Sequence, residues 1–208
     1  MKFSVDVLET QSEISTAILT AMIDPITKQI KNGAKELKRK IPLIIETAIK
    51  SQPEYNSLIS GQLKDEFGLA GAAQKIDSLI NIWQKIEIDI QQPRIKGKQI
   101  TGGITINAIR SDYSDVLNLP AALQTTKKGQ NLPWLDWLLI QGDKVIIKEY
   151  DLVVGKGRAG NTIMRRNVAG KWSVPSSFAG TPNNNWITRA LQSVSSIIDR
   201  TIQEAIKL

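Results

Sequence analysis

The chain has 208 residues, 27 Lys and Arg against 20 Asp and Glu, a formal net charge of +7, and neither Cys nor His. These two absences exclude disulfides, zinc sites built on thiolate or imidazole, thiol nucleophiles and every catalytic arrangement that uses imidazole as its base. The length suffices for one well-packed domain with an appendage or for two small ones, and the basic balance points to an anionic contact without indicating a fold.

Acids at Asp6, Glu9 and Glu13 speak against a targeting peptide. No apolar run approaches the roughly 18 to 20 residues of a membrane span, so no membrane partner is expected. Thr10 and Glu13 have the spacing of a capping box, and Ile14, Ile18, Met22, Ile26, Ile30, Leu37, Ile41, Ile45 and Ile49 follow at near-helical intervals. This predicts a long amphipathic helix or a pair of helices, interrupted at Asp24 and Pro25, kinked or broken again at Pro42, and ended by Pro53. Residues 1–53 read as an N-terminal helical arm, and 54–208 as an α+β core domain with a C-terminal helix.

A second helix is expected over 55–67, stopped by Gly68, and a third from Ala72 to about Lys85. The period then changes to two. Ile86, Ile88 and Ile90 alternate with Glu87 and Asp89 as in a half-buried strand, and GGITINAI pairs with it as a hairpin with a loose loop. Residues 113–119 would continue this sheet weakly. A short helix over 131–140 brings Trp134, Trp137 and Leu138 into the core, and 144–154 is the most strand-like stretch, with 162–167 returning as its partner. A final amphipathic helix with an Asn cap places Ile187, Leu191, Val194, Ile198, Ile202 and Ile206 along one side. The fold class is therefore α+β, with a small, mainly antiparallel sheet flanked by long terminal helices.

Charge is unevenly distributed: residues 152–198 contain no acid but carry Lys156, Arg158, Arg165, Arg166, Lys171 and Arg189. Within that stretch LVVGKGRAGNT looks like a nucleotide-binding loop. A dinucleotide site needs a helix after the glycines and an acid about 20 residues later, whereas the next acid here is Asp199. A phosphate loop needs a lysine where Asn161 stands. The loop from Gly155 to Gly160 thus reads as the basic tip of a hairpin, and no cofactor is expected. Lys156, Arg158, Arg165 and Arg166 are the residues expected to face a partner protein or DNA. Glu87 with Asp89 and Glu149 with Asp151 are each spaced to share a strand face, and side by side such strands could hold Mg²⁺. A nucleic-acid-binding or metal-dependent nuclease module is therefore the alternative reading, against acids that simply form the solvated side of a sheet. The tryptophans sit beside aliphatic residues, as core residues do.

Three segments, SLISGQLKDEFGL (57–69), PWLDWLLIQGDKVIIKEYDLVVG (133–155) and TIMRRNVAGKWSVPSSFAGTPNNNWITRAL (162–191), resemble the neck or tail-completion proteins of tailed bacteriophages of the T-even-like contractile type. The resemblance spans roughly residues 43–207. It implies a structural virion protein, not an enzyme, assembled in the host cytoplasm. Several copies, commonly six, would form a homo-oligomeric ring between the head connector and the tail, with other neck, connector and tail proteins as partners and transient contact with the genomic DNA that passes through.

Overall fold

A computed structural model of the chain describes residues 9–109, 112–125, 129–157 and 162–207. It begins with one continuous helix, α1 (Gln11–Lys50, 40 residues). Its start is the capping box: Thr10 N–H and Oγ1 donate to Glu13 Oε2 at 2.7 and 2.8 Å, and Glu13 N–H donates back to Thr10 Oγ1 at 3.3 Å. The interruption expected at Pro25 does not occur, and the helix is not broken at Pro42. Each proline removes one hydrogen bond, but the carbonyls so freed belong to Ala21 and Lys38, which are exposed and can turn to water. Burial of Ile41, Ile45 and Ile49 then holds the helix together beyond Pro42. Pro53, expected to stop a helix, also opens the next one at its first position: α2 (Pro53–Ser60).

The single helix expected over 55–67 is two, α2 and α3 (Gln62–Phe67), divided at Gly61. A side chain at Gly61 would place its Cβ 2.9 Å from Ser57 Cα. Ser57 Oγ in turn accepts the Leu63 N–H at 3.0 Å, capping α3 from the preceding helix. Gly68, at φ 64°, ends α3 in the left-handed conformation. α4 (Ala72–Trp83) follows as expected, burying Ile76, Leu79, Ile80 and Trp83.

β1 (Glu87–Lys96) and β2 (Gln99–Asn107) form an antiparallel hairpin in which Ile88 faces Ile106 and Ile90 faces Ile104. Its loop is tight, with Gly97 at φ 65°, because Pro93 is taken up in a bulge between Gln91 and Arg94. At Gly102 a Cβ would stand 2.8 Å from Pro93 Cα, so glycine is what lets the strands meet there. Residues 113–119 form turns and no strand, with Tyr113 itself at φ 54°. Two short strands that local pattern did not announce, β3 (Gln124–Thr125) and β4 (Asn131–Leu132), pair ahead of α5 (Trp134–Leu139). β5 (Ile147–Val154) pairs antiparallel with β6 (Thr162–Trp172), and α6 (Trp186–Ile206) closes the chain. The class is α+β. In place of one small sheet there are three separate two-stranded ones among the described residues.

Two compact units emerge, one of Met1–Lys40, Glu87–Asn107 and Asp199–Leu208, the other of Ile41–Ile86 and Ala108–Ile198. The division falls inside both terminal helices. In the first unit Gly33 lets α1 approach the end of α6: a Cβ there would lie 2.5 Å from the Ala205 carbonyl oxygen. The Gln29 amide donates to the Lys207 carbonyl at 3.0 Å, satisfying one of the orphan carbonyls of that terminus. In the second unit the core is aliphatic and tryptophan-rich. Trp83, Trp134 and Trp186 are fully buried, and Trp83 meets Trp186 edge-on at 5.7 Å. The Trp186 indole donates to the Ile49 carbonyl at 3.0 Å, whose helical donor would be residue 53, a proline without an N–H.

Asn185 caps α6 from inside this core. Its Oδ1 accepts the Ile187 and Thr188 N–H groups at 3.0 and 3.1 Å, and its Nδ2 donates to the Thr181 and Leu139 carbonyls at 2.9 and 3.2 Å. The Tyr113 hydroxyl also meets it, so a fully buried amide is completely satisfied. Nearby, the buried Glu54 carboxylate is held by Arg189.

Candidate assembly surface

Of the basic residues singled out by sequence, Lys156, Arg165 and Arg166 lie on or beside the β5–β6 ribbon. At its root Trp172 packs against Phe67 at 5.7 Å and Trp137 at 5.9 Å, and its indole donates to Glu66 Oε2 at 3.3 Å. This cluster ties the ribbon to α3 and α5. Burial pushes the Glu66 carboxyl above the ordinary carboxylate value, opposed by its hydrogen bonds from Gln62 and Trp172. A cleft of about 310 Å³ opens beside it, walled by Phe67, Leu132, Leu152, Ile163 and Met164, with Asp65 on its rim.

Midway along, pairing slips. Lys148 faces Lys171 and the next pair is Tyr150 with Arg166, which leaves Glu149 extra on β5 and 167–170 extra on β6. Glu149 sits at φ 64°, and Gly170 is required because a Cβ there would fall 2.7 Å from the Tyr150 carbonyl carbon. Asn167 folds back to Asp151 through its side-chain amide and receives the Ala169 N–H at 3.2 Å. The bulge turns Val168 outward until 82% of it is exposed, and Val154, at the far end of β5, is 91% exposed. Ile163 and Met164 are also exposed.

Of the four expected residues, Lys156 is exposed just past the end of β5, and Arg158 lies outside the described residues, as does most of the loop around Gly160. Arg165 and Arg166 are consecutive and exposed. Arg165 stands opposite Asp151, and Arg166 makes a loose, solvent-screened pair with Glu149 at 3.8 Å. Besides these described cations the ribbon bears uncovered apolar side chains, Val154, Ile163, Met164 and Val168, which the sequence pattern does not single out.

Where the described chain resumes after the glycines it is a strand, β6 from Thr162. The two acid pairs belong to different sheets. β1 pairs with β2 and β5 with β6, and the bulge at Glu149 breaks the shared face expected for Glu149 and Asp151. Glu87 and Asp89 are exposed, with Asp89 accepting from the Asn107 amide at 3.2 Å, and no three acids converge among the described residues. The five tryptophans are core or near-core residues.

A second uncovered surface belongs to α1 in the first unit. Ile14, Ile18 and Met22 recur at every turn and are 38%, 55% and 44% exposed, with Ala17 and Ala21 beside them. The same stripe from Ile30 onward is covered, and that of α6 is buried or half-buried along its length. Between Gln11 and Thr27 the only charges are Glu13 and Asp24. No described helix is long and apolar enough to cross a membrane. Comparison with protein-family models, curated proteins and solved structures finds no match to this chain.

Proposed function

We propose that this chain is a structural assembly protein of the neck of a long-tailed bacteriophage, copies of which close into a ring that joins the head connector to the tail and lets the genome pass. The observation that carries the assembly half of this reading is the row Ile14, Ile18 and Met22, three large apolar side chains in water on successive turns of an almost uncharged helical segment. Isolated exposed apolar residues are ordinary, whereas a contiguous row marks a contact surface. The β5–β6 ribbon supplies a different patch with open strand edges. Two unlike patches on one chain suit head-to-tail contacts, which generate rings when the rotation closes. The resemblance of three segments to neck proteins supplies the biological setting.

Gel filtration with light scattering over a range of protein concentrations tests the assembly. The wild-type chain is expected to associate as concentration rises, and Ile18→Glu with Met22→Glu to remain monomeric with an unchanged circular dichroism spectrum. A wild-type chain that stays monomeric throughout, alone and with its connector, would refute the reading.

A further inference from the structure

Beyond the apolar row, α1 carries a stripe of cations. Lys28, Lys31, Lys35, Lys38 and Arg39 recur at three- and four-residue spacings, and all five are exposed. The covered face of the same stretch, formed by Ile30, Ala34 and Leu37, points elsewhere. The acids nearby are Asp24, one turn before Lys28, and Glu36, which reaches Arg39 at 4.0 Å and Lys40 at 3.4 Å from a half-exposed position. Lys28, Lys31, Lys35 and Lys38 make no ion pair among the described residues.

Like charges three or four residues apart on a helix repel and destabilise it. Glutamates interspersed at those spacings would have made the same face soluble and more stable. A row of five cations with one acid is thus maintained against the interest of the helix, which calls for an anionic partner with a matching repeat. From Lys28 to Arg39 the helix rises about 16 Å at about 1.5 Å per residue. A duplex carries one phosphate charge about every 1.7 Å of its axis, both strands counted, so a stretch of that length offers more phosphates than the stripe has cations. The stripe has no aromatic side chain on which an unstacked base could lie, and it is built mainly from lysine, a flexible point charge.

We infer that this face of α1 binds the phosphate backbone of double-stranded nucleic acid without reading its bases. One chain carries the whole stripe, so the inference is independent of the assembly reading and is tested on monomeric protein.

The experiment is fluorescence anisotropy of a labelled mixed-sequence DNA duplex across a salt series. For five phosphate contacts the slope of log K against log salt is expected near −4.5, from about −0.9 per contact. K31A/K35A is expected to reduce its magnitude by about 1.8, whereas K85A/K144A, which removes the same charge from exposed positions of the other unit, leaves it unchanged. Alanine favours the helix and relieves the repulsion, so K31A/K35A is expected to melt no lower than wild type, which separates lost binding from lost fold. Equal effects of the two double variants, an unaltered slope in K31A/K35A, or no salt-dependent binding by wild type would each overturn the inference. Polyglutamate competing as well as duplex at equal charge would overturn the assignment to nucleic acid in favour of an acidic protein.

Discussion

Trp83 and Trp186 allow the worth of one buried hydrogen bond to be measured by difference. Both are fully buried and each is the other's edge-on neighbour, yet the Trp186 indole reaches the Ile49 carbonyl while the Trp83 indole N–H has no acceptor among the described residues. Replacing either by Phe keeps an aromatic ring and removes the same volume, so a shared transfer and cavity cost of about 1 kcal/mol is expected. In W186F the Ile49 carbonyl loses its best donor and keeps only the Gln52 N–H at 3.3 Å, adding about 1 to 2 kcal/mol. In W83F an orphaned donor disappears, and the recovered desolvation offsets most of the shared cost. W186F should therefore be less stable than W83F by about 2 kcal/mol, or about 4 to 8 °C in Tm for a chain of this size. Urea and thermal unfolding followed by circular dichroism at unchanged m-value would measure it. Equal losses in the two variants would show that the indole bond to Ile49 does not offset the donor missing at Pro53.

Glu66→Gln tests the ribbon root through pH. A carboxyl raised by folding contributes stability below its unfolded pKa of about 4.3, and that contribution is lost as pH rises through the raised folded value. Gln keeps the acceptor for Trp172, so E66Q is expected to melt higher than wild type at neutral pH and equally near pH 3; parallel Tm profiles would contradict the burial argument. Gly33→Ala sets helix propensity against packing: Ala gains about 0.8 to 1.0 kcal/mol in a helix, but its methyl would meet the Ala205 carbonyl oxygen at 2.5 Å. Overpacking costs of about 1 to 3 kcal/mol should win, and a raised urea midpoint for G33A would show that α6 yields.

The local half of this fold is legible in the letters. Capping residues act within one turn, so Thr10 with Glu13 and Asn185 announce their helices, and Gly68 its helix end, without reference to anything distant. Period-two alternation likewise marks β1, and the strand-like stretch 144–154 marks β5. The candidate surface is partly legible as well. Lys156, Arg165 and Arg166 are placed by sequence beside a hairpin, and the spacing of Lys28, Lys31, Lys35 and Lys38 is plain once α1 is known to be helical there.

What tertiary structure decided is which local preferences prevail and which faces are covered. Pro25 and Pro42 look like breaks, but the groups they orphan are exposed while the apolar residues beyond Pro42 are buried, so the helix runs on. The bulge at Glu149 depends on the close approach of Gly170 across the ribbon, a contact between residues about twenty positions apart. Ile14, Ile18 and Met22 have the same chemistry and spacing as Ile41, Ile45 and Ile49, yet one set is in water and the other in the core. Periodicity records that a face is apolar; only the arrangement of distant segments in space determines whether anything within the chain covers it.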